Sequence, residues 1–173
     1  ASTMQLPTLH HRKLVLRGVR MRDARAMEQA LGENRAWLSP WEATHPLIRP
    51  GRFDAKASIR SLLRAAKEGS ALPLVMLKDG ELVGQLNASQ ISYGSLSSAS
   101  LGYWVVEKVA GEGLTTLAVA MASDFLFFET GLHRVEICIR PENTASLRVV
   151  EKLGFRYEGL RRRFIHIDGK WAD

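Results

Sequence analysis

A single cysteine, Cys138, stands among 173 residues, so no internal disulfide can form and the chain suits a reducing compartment, the cytoplasm. It sits in the apolar run 135–139, where a buried structural thiol is expected rather than a nucleophile. The five histidines show no metal-ligand spacing with cysteine, and no metal site is predicted. No apolar run approaches the roughly 18 residues that span a bilayer, and no charged-then-apolar export signal opens the chain. Aromatic residues make up only 8%, with no RNA-reading strand motif and no basic helix long enough for a DNA groove. Gly-Lys-Ser/Thr is missing as well, which rules out a nucleoside triphosphate loop.

What remains is an ordinary soluble composition, 46% apolar and 24% charged. Residues 12–173 are expected to form one domain with a real core, and 1–11 a flexible leader. Within that leader, Ala1-Ser2-Thr3 ahead of Met4 reads as a cloning remnant. Charge is unevenly spread. Residues 1–67 hold 13 Lys/Arg against 5 Asp/Glu, while the other 106 residues hold 11 against 13. The basic first third could attract an acidic partner or ribonucleic acid; it reads equally well as solvated helix faces.

The chain reads as strands and helices in turn. Lys13–Val19 alternates as a first strand, and Arg22–Gly32 and Asp54–Glu68 have helical spacing, the second capped by Asp54. Residues 34–53 carry Trp37, Pro40, Trp41, Pro46 and Pro50 and predict a loop. Leu72–Leu77 and Leu82–Ala88 flank Asp79-Gly80, a hairpin signal. A polar stretch, 89–98, leads to a strand over 100–106, then a helix over 114–129 with a Gly131 stop. Arg134–Ile139 is the next strand and Asn143–Leu153 the next helix. Phe155–Ile167 is a long strand bent at Gly159, and Asp168-Gly169 turns toward a return strand that lies largely past the sequence given. The pattern predicts a mixed α/β (α+β) sheet, mainly antiparallel, with one strand–helix–strand crossover over 100–139 and no internal repeat.

Between the crossover strand and its helix lies Lys108-Val-Ala-Gly-Glu-Gly113. A glycine-bearing turn there can aim several N–H groups at one point, because the first amides of a helix lack internal partners and its dipole favours negative charge. Phosphate oxygens suit such a place. Alone, the spacing more often marks only a tight turn and helix start. A dinucleotide fold fits poorly, since no early βαβ unit precedes the turn.

These residues resemble the GNAT superfamily of acetyl-coenzyme A-dependent N-acetyltransferases. Lys108-Val-Ala-Gly111-Glu-Gly113 is close to that superfamily's Gln/Arg-x-x-Gly-x-Gly/Ala loop. A second signature, an asparagine after a strand and a short helix ending in Gly-Phe, is matched by Asn143 to Gly154-Phe155. Gly102-Tyr-Trp, Asn143-x-x-Ser146 and Ile167-Asp-Gly-Lys-Trp171 resemble the branch that acetylates ribosomal-protein N-termini. The resemblance implies a GNAT-type sheet whose strands splay at the donor site. It implies that Trp104, Val105 and Val106 pair with the pantetheine arm, and that N–H groups from Ala110 through Gly111, Glu112, Gly113 and Leu114 to Thr115 hold the pyrophosphate. Lys108 stands where the family has Gln or Arg, so a side-chain contact changes while the backbone cradle stays. Asn143 would bond the arm, though a helix cap is its other reading, and Ser146 would approach the sulfur. Many members carry a tyrosine acid where this chain has Val150, so Ser146 is the expected proton donor.

Trp37, Trp41 and Tyr103 are expected along the acceptor side. Glu42 ranks ahead of Glu136 and Glu107 as a base, although a surface carboxylate is the commoner reading. The implied reaction is direct attack of a primary amine on acetyl-CoA, most simply the N-terminal α-amine of a ribosomal protein, with the basic N-terminal third offering a ribosome contact. Two alternatives stand beside it: an enzyme for a small amine such as a polyamine, amino acid or antibiotic, and a ribosomal RNA-docking module without catalysis.

Overall fold

A computed structural model describes residues 6–38, 54–94, 97–138, 148, 151, 153, 156–159 and 170–172. The strands are β1 (Thr8–His11), β2 (Leu14–Gly18), β3 (Leu72–Lys78), β4 (Glu81–Ser92), β5 (Ser98–Val105), β6 (Arg134–Cys138), β7 (Arg156–Gly159) and β8 (Lys170–Ala172). The helices are α1 (Ala24–Glu33), α2 (Arg35–Leu38), α3 (Ala55–Lys67) and α4 (Leu114–Asp124). All eight strands form one sheet in the order β1-β2-β3-β4-β5-β6-β8-β7. Among the described residues only β5 and β6 run parallel, joined by the crossover through α4.

Local chemistry explains most of these elements. Asp79 and Gly80 both take positive φ at the β3–β4 turn, as a tight hairpin requires. Asp54 caps α3, its carboxylate accepting from the Ala57 N–H at 3.1 Å. β3 is apolar without alternation and buried from Leu72 to Met76, because both faces of the central sheet are covered. α1 and α3 pack over β4 and β3, whereas α4 buries Ala118, Val119 and Ala122. Where α4 ends, the chain widens into a π-type turn, Phe125–Glu129, and closes with the Leu132 N–H on the Leu126 carbonyl at 3.0 Å.

Within the stretch expected as loop, Arg35–Leu38 forms the short helix α2, and two further expectations need correction. Residues 8–11 are not a loose leader: Thr8–His11 pairs antiparallel with β2 as the edge strand, and Leu6 packs against Gly18. The polar stretch after Ala88 does not end β4 either, which continues to Ser92 against β5. In both places ladder hydrogen bonds override a side-chain pattern that looks like loop. At the far edge, Lys170–Ala172 lies between β6 and β7, antiparallel to both.

Beneath β2, Arg17 and Asp23 form a two-pronged ion pair, Nη1–Oδ2 2.9 Å and Nη2–Oδ1 2.8 Å, and the Arg20 N–H adds a bond to Oδ2 at 2.8 Å. Asp23 is 6% exposed. Burial alone would raise its pKa; the Arg17 fork and the Arg20 amide outweigh that and hold it below the usual carboxylate range.

Candidate functional site

The site grows out of a parting of strands. β5 pairs with β6 only from Ser98–Arg134 to Leu101–Ile137, yet it pairs with β4 as far as Val105. Residues 102–105 thus continue beyond the last β6 pair, leaving one side of the strand outside that ladder. Main-chain groups alternate along a strand. The Val106 N–H donates to the Val83 carbonyl at 2.8 Å, which turns Val106 and Trp104 toward β4 and Val105 toward the gap. On that open side the Val105 carbonyl accepts from the Trp37 indole N–H at 2.9 Å. Of the three residues expected to pair with a pantetheine arm, Val105 turns its main-chain groups to the open side, Trp104 turns to β4, and Val106 gives its N–H to Val83 and its carbonyl to the Val109 N–H at 3.3 Å. The Trp104 indole donates to Gln85 Oε1 at 2.9 Å, a bond the sequence did not disclose.

Beyond β5 the chain makes a single tight turn over Glu107–Val109 and then the glycine loop. Gly111 and Gly113 sit at φ +85° and +81°, a left-handed conformation that favours glycine. A Cβ at either position would meet nothing within 4 Å among the described residues, so the space beside both glycines is open. α4 starts at Leu114, and Leu117 is the first amide bonded back, to the Gly113 carbonyl at 3.1 Å. The N–H groups of Gly111, Gly113, Leu114, Thr115 and Thr116 have no partner among the described residues. Ala110 and Glu112 differ: their amides are taken by the Glu107 and Val109 carbonyls at 3.0 and 3.2 Å. Those two therefore drop out of the expected set of donors, because the turn uses them to hold its own shape.

Side chains brace this loop from the β3–β4 hairpin. Lys108 pairs with Glu81 at 2.6 Å, and Lys78 pairs with Glu112, whose hydrogen bond raises the Lys78 pKa. Lys108, expected beside the ligand, is thus engaged with the hairpin instead. Asn34, at the end of α1, accepts from the Glu107 N–H at 2.9 Å and donates to the Ala30 carbonyl at 2.8 Å. Helix-end asparagine was a readable signal, but its partner 73 residues on was not. An open cleft of about 510 Å³ lies alongside, between α1 and the loop, lined among others by Glu33, Glu81 and Glu107.

Trp37, expected along the acceptor side, stands at the β5 end with its indole on the Val105 carbonyl. Tyr103 alternates with Trp104, so its ring shares a face with Leu101, away from the Trp104 indole, and it packs against the core. Glu136 on β6 pairs with Arg134 at 3.0 Å. Trp41, Glu42, Asn143 and Ser146 lie outside the described residues. Among the described residues no cluster could hold a metal ion, and no helix is long and apolar enough to cross a membrane.

An open row of helix-start amides beside a strand with a vacant side is what a ligand bearing a diphosphate and an extended amide-containing arm requires. Comparison with known proteins agrees. The GNAT acetyltransferase domain model matches residues 13–156. The chain is 40% identical over 95 residues to the probable N-acetyltransferase YjcK of Bacillus subtilis, an alignment covering 55% of this chain and 52% of that protein. It is 30% identical over 163 residues to the ribosomal protein uS5-alanine N-acetyltransferase of Escherichia coli, covering 93% of this chain and 84% of the relative. Among solved structures, Mycobacterium smegmatis RimJ in complex with CoA-disulfide superposes with a TM-score of 0.88 at 35% identity, over 97% of this chain and 86% of that one.

Proposed function

The chain belongs to the GNAT acetyltransferase family, and on that premise we propose that it transfers an acetyl group to the N-terminal α-amine of a ribosomal protein. Acetyl-CoA is the donor and supplies the activated thioester. The observation that carries this reading is the set of amides at Gly111 and 113–116 that have no partner among the described residues, next to the part of β5 that runs past its last β6 pair. Similarity to the uS5-alanine enzyme along nearly the whole chain supports the choice of acceptor. The reading puts the enzyme in the cytoplasm, with the basic first third as its contact to the ribosome.

The residues divide the work. Gly111, Gly113, Leu114, Thr115 and Thr116 offer N–H groups to the diphosphate. Val105 directs its N–H to the open side, where it would donate to the thioester carbonyl, and the Trp37 bond to the Val105 carbonyl holds the peptide unit that follows. Asn143 bonds the arm, and Ser146 returns a proton to the departing sulfur. An α-amine titrates near 7.7–8, so a sizeable fraction is already neutral at pH 7 and Glu42, or water, has little deprotonation to do. A lysine side chain near 10.4 would need far more help.

Ser146→Ala should lower kcat roughly tenfold while changing acetyl-CoA affinity less than twofold, the size expected for one general acid that water partly replaces. Steady-state kinetics beside calorimetry checks it, and an unchanged kcat removes Ser146 from the reaction. For the acceptor, thiol release from acetyl-CoA is followed against peptides with free or blocked N-termini, small amines and antibiotics. Free-N-terminal peptides beginning with the ribosomal-protein sequences should be turned over fastest. Thiol release with small amines alone would refute the protein acceptor. Salt-steep RNA binding with no thiol release would refute transfer itself.

A further inference from the structure

Asn87 and Gly102 face each other across β4 and β5. This pair lies one step past Leu101–Ile137, the last place where β5 holds β6. Asn87 Oδ1 is buried and has no hydrogen-bond partner among the described residues. Folded proteins rarely leave a buried amide oxygen in that state unless something else completes it. Opposite, Gly102 is exposed, and a Cβ there would meet nothing within 4 Å. Space is kept open in front of an unsatisfied acceptor, at the level where the strands part.

Neighbouring residues define the walls. Side chains two apart on a strand share a face, so Gln85 stands beside Asn87 and Trp104 beside Gly102. The Trp104–Gln85 bond at 2.9 Å locks that indole along one side of the notch. Ser100, in register with Glu136 of β6, lies at the other end. On the opposite face Leu101 and Ala88 are buried in the core, so the notch opens only toward Trp104 and Asn87.

We propose that this notch seats the attacking nitrogen, with Asn87 Oδ1 accepting one N–H of the neutral amine and turning its lone pair toward the acyl carbon beside Val105. The inference rests on the acetyl-transfer reading and holds for any primary amine. In the step, the nitrogen forms a bond to the acyl carbon and the carbon–sulfur bond breaks with its electron pair on sulfur. The proton shed by nitrogen goes to water or to a base, and sulfur takes up a proton. Asn87 neither gains nor loses one; it is a positioning group that meets the substrate only through a hydrogen bond.

The test uses Asn87→Leu and Asn87→Asp with whichever primary amine the parent turns over, peptide or small molecule. The choice of acceptor and the role of Asn87 therefore fail separately. Asn87→Leu removes a buried acceptor that the fold leaves unsatisfied, so its Tm should equal or exceed the parent's. Its kcat/KM for the amine should fall roughly ten- to a hundredfold, the worth of one positioning hydrogen bond, with acetyl-CoA affinity unchanged. Asn87→Asp keeps an acceptor oxygen and adds a charge that favours the ammonium form. It should recover part of the activity and move the ascending, acidic limb of the kcat–pH profile to higher pH. Asn87→Leu with parental kcat/KM would overturn the proposal, as would a fall in activity that tracks a fall in Tm. An unmoved pH profile in an active Asn87→Asp would do the same.

Discussion

Gly113→Trp should abolish measurable acetyl-CoA binding while the protein stays folded. Two observations set the expectation apart from ordinary damage. A Cβ at 113 would meet nothing within 4 Å among the described residues, so the new side chain starts out in open space and not in the core. Holding a non-glycine residue at φ +81° costs only about 1–2 kcal/mol, well inside the stability of a domain. The indole would, however, occupy the concavity in front of the unpartnered amides of Gly113, Leu114 and Thr115. Losing that anchorage should weaken binding more than a hundredfold, a change of about 3 kcal/mol. Calorimetry supplies the affinity and circular dichroism the fold. Parental affinity in a folded Gly113→Trp variant would contradict the cradle.

Asp23→Ala should be the most destabilising single change outside the hydrophobic core. Asp23 is 6% exposed and the Arg17 side chain 14%, so removing the carboxylate strands a largely desolvated guanidinium. Breaking a buried pair in this way costs about 3 kcal/mol, and for a chain of this size that lowers Tm by roughly 6–12 °C. The pH dependence has a definite sign. The folded-state pKa of Asp23 is depressed, so its contribution is complete above the unfolded value, near 3.9, and is lost as pH falls through the folded value. Stability of the parent should therefore be insensitive to this group at neutral pH and should drop below about pH 4, whereas Asp23→Ala should lack that component of the acid transition. Equal acid transitions in the two proteins would show that the pair contributes nothing.

Much of the architecture was legible because its signals are local. Asp79-Gly80 dictates a hairpin, Asp54 a helix start, and the switch from β-branched and aromatic residues before the loop to an apolar helix after it dictates the crossover. Thr8–His11 was hidden, since an edge strand with one half-buried residue and three exposed ones carries no apolar pattern and is held by its ladder alone. The tail of β4 was hidden for the same reason. At the site, Gly111 and Gly113 were legible as a cradle, but which amides remain for a ligand was not. Turn bonds made by Ala110 and Glu112, and the strand alternation that sends Trp104 and Val106 toward β4, depend on three-dimensional pairing. Arg17–Asp23, Asn34–Glu107 and Asn87–Gly102 escaped notice because each joins residues whose meaning appears only once the sheet has brought them together. The GNAT relationship was readable because the loop and the asparagine–helix–Gly-Phe stretch are contiguous.

The most direct test of this account follows the backbone amides themselves in a two-dimensional nitrogen–proton spectrum while coenzyme A is added. The amides of Gly111, Gly113, Leu114, Thr115 and Thr116 should show the largest shifts, with Ala110 and Glu112 moving far less because their hydrogen bonds to Glu107 and Val109 persist. Shifts confined to other parts of the chain, or none at saturating coenzyme, would contradict the claim that this turn holds the donor.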